Sequence, residues 1–219
     1  MSLISLTAAD NHTFDSYVSL ASDNATAALV ILQEIFGVTD QLQGVADYYA
    51  ELGFTTIVPA LFDRQARNTV VPFDQAEKGL ALMEKAKFDN TMLDINAAIN
   101  DARDRAKKVF VMGFCWGGGL AFRCAQQTNI DGAIVFYGTR LGESLDKPLL
   151  SPVIGHFGAE DPHTPPDVLQ ALRARYPEIE MHMYDAGHAF ANDAREAYLP
   201  RAAELAHGRN DAFIRSLCA

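Results

Sequence analysis

Val109-Phe110-Val111-Met112-Gly113-Phe114-Cys115-Trp116-Gly117-Gly118-Gly119-Leu120-Ala121-Phe122 passes from a short apolar stretch, through a glycine-flanked turn, into residues compatible with a helix. Strand, tight turn and helix in immediate succession form the unit from which parallel sheets are built. Glycines two before and two after Cys115 let strand and helix approach closely while the central residue takes a strained conformation with its side chain exposed. At the start of the helix the Cys115 sulfur lies near the positive end of the peptide dipoles, which favours a thiolate, and the next backbone N–H can help hold an oxyanion. The pattern proposes a nucleophile. The competing reading, a small buried hydrophobe among packing glycines, gives way to the strand-to-helix context. Cys124, inside the following helix, reads as core, and Cys218, next to last in the chain, acquires no role.

Outward from this turn, short apolar runs rich in branched residues alternate with longer amphipathic segments. Strands are expected over Ala27 to Gln33, Thr55 to Pro59, Lys108 to Gly113, Gly132 to Tyr137, Val153 to Gly158 and Ile179 to Tyr184. Helices are expected over Asp40 to Leu52, Phe73 to Ala86, Asn90 to Arg105, Trp116 to Gln127, Pro165 to Tyr176 and Ala194 to Leu217. Leu42, Val45, Tyr49 and Leu52 form one apolar stripe at helical spacing, and Met92, Ile95, Ile99 and Ala102 form another. The expected fold class is α/β, with a mostly parallel central sheet covered by helices on both faces. His12 to Val18 alternates polar and apolar residues and is expected as an antiparallel edge strand. No internal repeat or linker interrupts the series, so one domain spanning 1–219 is expected.

Composition narrows the partners. Among 219 residues, 18 Lys and Arg against 28 Asp and Glu give a net charge of −10, which repels a nucleic-acid backbone. At 49% hydrophobic and 21% charged, the chain is neither low-complexity nor disordered in character. Ala27 to Leu32 is too short to span a membrane, and Met1-Ser2-Leu3 lacks the positive start of a signal peptide, so a cytoplasmic protein without membrane contact is expected. Three cysteines offer no disulfide framework, and six histidines fall into no zinc-ligand spacing. Neither metal nor organic cofactor is expected, and a monomer is.

Reactive side chains in such a sheet collect in loops at the carboxyl ends of the strands. Where a strand-to-helix elbow presents the nucleophile, the chain order is nucleophile, acid, histidine. After Cys115, the run Pro152 to Gly158 ends in Ala159-Glu160-Asp161-Pro162, which offers Asp161 as the acid, with Glu160 facing elsewhere. The last strand gives way to Asp185-Ala186-Gly187-His188-Ala189-Phe190, placing His188 in a loop as the general base. His182 and His156 lie within strands, His163 sits in a proline-rich loop, and His12 and His207 fall outside the series. A loop histidine alone is more often structural; the shared strand-end setting of Cys115, Asp161 and His188 reverses that. Glu34, directly after Leu29-Val30-Ile31-Leu32-Gln33, also ends a strand, although a solvated loop acid is the ordinary reading of such a residue. Beside the sulfur, its charge would raise the thiol pKa and oppose the helix terminus.

With these residues in place, the chain resembles the dienelactone hydrolase family, a branch of the α/β-hydrolases also called carboxymethylenebutenolidases. The resemblance runs nearly the whole length. It rests on His12-Thr13-Phe14, Gln33-Glu34-Ile35-Phe36-Gly37-Val38, Pro59-Ala60-Leu61-Phe62 with Arg64-Gln65-Ala66, Gly113-Phe114-Cys115-Trp116-Gly117-Gly118, Phe157-Gly158-Ala159-Glu160-Asp161 and Tyr184-Asp185-Ala186-Gly187-His188-Ala189-Phe190-Ala191. It implies an α/β-hydrolase fold, a triad of Cys115, Asp161 and His188, and a regulating glutamate at Glu34. It further implies an oxyanion hole from the backbone N–H groups of Ile35 and Trp116, and a pocket involving Phe36 and Phe190. The family pattern is broken where members that cleave dienelactone have an arginine four residues after the histidine: here the residue is Asn192. A second family arginine aligns near Lys78 and its neighbouring tyrosine near Leu82, and a lysine supplies charge without a bidentate fork.

The implied chemistry is attack by Cys115 on an ester or lactone carbonyl, an acyl-thioester, and release by water that His188 activates. Esterase or thioesterase action on uncharged substrates begins with the same attack. Two readings of other classes are a ligand-binding protein that keeps the pocket without catalysis and a thiol redox sensor. The first has no need of all three triad members, and the second wants a resolving partner that Cys124, inside a helix, is poorly placed to provide.

Overall fold

In the computed structural model, which describes residues 2–22 and 25–219, β3 (Ala27–Leu32), β4 (Phe54–Pro59), β5 (Val109–Phe114), β6 (Gly132–Phe136) and β7 (Val153–Gly158) are buried at every position. Continuous burial means both faces of each strand are covered, the condition that apolar runs without alternation foretell. The chain divides into two compact units, Met1–Val109 and Phe110–Ala219.

In the first unit the strand order is β1-β2-β4-β3, with β1 (Ser2–Thr7) and β2 (Thr13–Ser19) antiparallel and β3 parallel to β4. The segment from His12 to Val18 is antiparallel as expected, but it is not the edge. It forms β2, which pairs with β4 on one side and with β1 on the other. The reason is local: Ser-Leu-Ile-Ser-Leu-Thr puts leucines on opposite faces and leaves no periodic signal, so β1 does not declare itself. Three helices complete the unit, α1 (Asp40–Glu51), α2 (Ala76–Lys85) and α3 (Phe88–Arg105). Thr39 starts α1 by accepting the Leu42 N–H on its hydroxyl at 3.2 Å. The α3 stripe of Met92, Ile95, Ile99 and Ala102 is buried as its spacing requires. Arg64 ties the β1–β2 turn to α3, meeting Asp10 and the buried Asp94 at 2.7 Å each. Its hydrogen bond holds the Asp10 carboxyl down at about 2.

In the second unit β5, β6, β7 and β8 (Glu180–Tyr184) lie side by side in that order, all parallel. They are joined by α4 (Trp116–Gln127), a short 3-10 turn at Leu141–Ser144 and α5 (Pro166–Arg175), and α6 (Pro200–Cys218) closes the unit against β6 and β7. The expected helix from Ala194 to Leu217 begins instead at Pro200. Proline lacks the N–H a helix interior needs and fits the first turn, so it marks the start. The expected Phe73 to Ala86 helix is likewise shorter, Ala76–Lys85. Register places Phe136, His156 and His182 abreast on neighbouring strands. His156 is fully buried, with Nδ1 2.8 Å from the Tyr184 hydroxyl and Nε2 2.6 Å from Asn210 Oδ1. Desolvation pushes its pKa down to about 3, so it is a neutral core residue.

Candidate active site

Cys115 sits between β5 and α4 at φ 53° and ψ −114°, a backbone conformation that non-glycine residues adopt only under constraint. The constraint is visible. Its N–H donates to the Phe136 carbonyl at 3.0 Å, and its own carbonyl accepts the N–H of Thr139 at 3.1 Å and of Gly119 at 3.2 Å. The approach this needs is available only to glycines. A Cβ on Gly113 would run into the Gly117 carbonyl, and one on Gly118 would sit 2.8 Å from both the Gly138 Cα and the Phe136 carbonyl oxygen. The strain, on the order of 1–3 kcal/mol, is held at a residue that is half-buried, while Trp116 and Phe114 beside it are buried. The start of α4, with the Trp116 N–H foremost, is the positive end of the helix, where an anion is welcome.

Asp161 and His188 are brought together. His188 donates its Nδ1–H to Asp161 Oδ2 at 2.7 Å, the carboxylate fully buried and the ring 19% exposed. This bond fixes the tautomer, leaving the Nε2 lone pair as a base. Both residues come from loops at the carboxyl ends of adjacent parallel strands, β7 and β8, as expected. Glu160 is exposed, and its backbone N–H donates to the Ala186 carbonyl at 3.0 Å.

Segment 136–139 joins these parts. Phe136 and Thr139 clasp the Cys115 backbone, the Tyr137 ring packs 5.1 Å from the His188 ring, and the Gly138 carbonyl accepts the Thr164 hydroxyl at 3.2 Å. Tyr137 is itself held at φ 36°. Two neighbours of His188 escape the sequence reading: Tyr137, expected only as the end of a strand, and His163, whose ring centroid is 4.6 Å from that of His188. The Asp-Pro-His-Thr-Pro run after β7 is the signal that could have found His163, because it spells a tight turn at the end of a strand.

Phe190 is wholly buried, packed on Tyr137, Phe136 and Tyr184 at 5.5, 6.5 and 4.8 Å between ring centroids. Asn192 is buried too, and its Oδ1 accepts the Ala194 N–H at 3.1 Å, closing a turn. In the first unit Glu34 follows β3 and is 7% exposed. The adjoining Gln33 braces this loop, donating to the Glu34 carbonyl at 3.2 Å and accepting the Leu61 N–H at 3.0 Å. Ile35 is buried where α2 passes so close that Gly79 is required: a Cβ there would strike the Ile35 carbonyl. Phe36 packs edge-on against Phe73 at 4.8 Å. Lys78 is exposed on α2 and Leu82 half-buried.

The family model described as "Dienelactone hydrolase family" matches residues 14–217. A carboxymethylenebutenolidase of Pseudomonas putida is 32% identical over 226 residues, 98% of this chain and 96% of that protein. A putative carboxymethylenebutenolidase of Saccharolobus solfataricus is 29% identical, covering 88% of this chain and 90% of its own. Among solved structures, a putative dienelactone hydrolase from Klebsiella pneumoniae superposes with a TM-score of 0.82 at 27% identity, covering 98% of this chain and 99% of that one. An esterase of Pyrococcus furiosus, 14% identical with a TM-score of 0.72, shares the fold, which is that of the α/β-hydrolases.

Proposed function

The chain belongs to the dienelactone hydrolase family, and from that premise we propose that it cleaves esters or lactones with Cys115 as nucleophile, His188 as general base and Asp161 as the residue that orients it. The observation that carries the reading is the 2.7 Å bond from His188 Nδ1 to Asp161 Oδ2, made at strand ends in the unit that also holds Cys115 in its strained turn. Cys115 Sγ attacks the carbonyl carbon, its proton passing to His188 Nε2. The Trp116 N–H receives the negative charge that develops on the carbonyl oxygen, and the family pattern adds the N–H of Ile35. As the tetrahedral adduct collapses, the C–O bond to the leaving group breaks and His188 returns the proton to that oxygen. In the second half, water loses a proton to His188 and attacks the thioester, and the C–S bond breaks to release the acid and restore the thiol.

Within this proposal Glu34 restrains the thiol, and Phe36, Phe190, Lys78 and Asn192 shape substrate choice. The buried, turn-closing Asn192 favours uncharged acyl groups over carboxylated lactones, because no arginine stands at its position to meet a carboxylate.

Hydrolysis of p-nitrophenyl esters and enol-lactones by wild type, Cys115→Ala and His188→Ala tests the reading. Each alanine variant is expected to lose at least about a thousandfold in kcat. Turnover at wild-type rate by either would end the nucleophile and base assignments. A panel of plain esters, thioesters and charged or neutral lactones then ranks the substrate classes.

A further inference from the structure

The turn that supplies Asp161 delivers a second histidine to the same place. Asp161 Oδ2 takes the Nδ1–H of His188 at 2.7 Å, and the other oxygen, Oδ1, takes the backbone N–H of His163 at 2.8 Å. The turn is closed by the Thr164 N–H on the Asp161 carbonyl at 3.2 Å and anchored by the Thr164 hydroxyl on the Gly138 carbonyl at 3.2 Å. Pro162 and Pro165 on either side restrict the backbone further. The backbone that carries the His163 ring is therefore fixed. That ring stands at 62° to that of His188, centroids 4.6 Å apart, and remains open to solvent. A single carboxylate holds the His188 imidazole through Oδ2 and the His163 backbone through Oδ1, and the two rings meet edge to face.

Catalysis by His188 makes its ring an imidazolium for part of each cycle. A neutral aromatic ring beside it is compatible with that charge, whereas a second imidazolium at this range repels it. The titratable groups acting on His163 are His188, from the loop after β8, and Asp161, from its own turn. Partial burial first, and His188 second, lower the His163 pKa, with Asp161 opposing, so the ring is neutral at neutral pH.

We propose that His163 is a positioning residue for His188: as a neutral ring it keeps the catalytic imidazole edge-on and accommodates its charge, and as an imidazolium it opposes that charge and closes the site on the acid side. The role rests on the hydrolytic reading of Cys115, His188 and Asp161.

Two measurements decide it. In the first, kcat and KM for a neutral p-nitrophenyl ester are followed from about pH 5 to about pH 9 in wild type, His163→Phe and His163→Ala. The acid limb of log kcat/KM is expected to steepen toward a two-proton slope in wild type and a one-proton slope in His163→Phe. At neutral pH kcat falls about threefold in His163→Phe and about tenfold in His163→Ala, with KM within about twofold of wild type in both. Superimposable acid limbs, or an effect confined to KM, overturn the role. In the second, the His163 imidazole is titrated by NMR in Cys115→Ala and in Cys115→Ala with His188→Gln. Its midpoint is expected to move up when His188 is removed, and an unmoved midpoint overturns the coupling. This second readout needs no turnover. A wild-type protein that cleaves none of the esters therefore sinks the hydrolytic reading, while the NMR comparison still decides whether the two histidines are coupled.

Discussion

At the scale of single residues, Cys115 sets reactivity against backbone comfort. Its φ of 53° is tolerable to glycine and costly to any residue with a Cβ. Cys115→Gly is therefore expected to abolish hydrolysis and yet gain about 1 kcal/mol in urea unfolding, whereas Cys115→Ala keeps the strain and unfolds like wild type. Equal stability of the glycine and alanine proteins would show that the turn holds no such strain. The placement of Asp161 and His188 in loops after neighbouring strands was legible in the sequence, because each loop follows a stretch that reads as a strand. His163 and Tyr137 were not, since what matters about them is a ring contact across loops that lie far apart in sequence. No periodicity encodes such a contact, and His163 shares its loop with the acid without announcing that its ring folds back toward His188.

At the scale of elements, the second unit keeps one histidine within its sheet, His156 on β7, and another, His207, on α6 against Phe136. His156 is held neutral at about 3 and His207 at about 4, burial being the leading cause in both. For a histidine depressed in the folded state, the contribution to stability is fully present above the unfolded value near 6.5 and is lost as pH falls from there toward the folded value. Urea stability is accordingly expected to drop between about pH 6.5 and about pH 3, by a few kcal/mol in total. His207→Phe should make the decline shallower, and an unchanged slope would show that His207 does not titrate in this window. Element positions were largely legible, with Val153–Gly158 and Trp116–Gln127 found to the residue. The failures have physical causes. Pro200 cuts short a pattern whose amphipathic period runs on upstream, and β1 reads as nothing in particular until β2 is there to pair with it.

At the scale of the whole molecule, a net charge of −10 surrounds the site with a field that concentrates cations and thins out anions. Raising salt from about 50 to about 200 mM is expected to lower KM for a carboxylated lactone about twofold and to leave KM for a neutral ester unchanged. Parallel behaviour of the two substrates would mean that the field does not reach the point of entry. The same charge has a second effect. β1 offers the first unit's sheet an outer margin of unpaired backbone donors and acceptors, and Ser-Leu-Ile-Ser-Leu-Thr sets no lysine, glutamate or proline there to ward off another strand. Mutual repulsion between molecules is then the principal guard of that margin. Acidification toward neutrality removes the guard and invites end-to-end stacking, and a single lysine in place of Ser5 would post a local one instead.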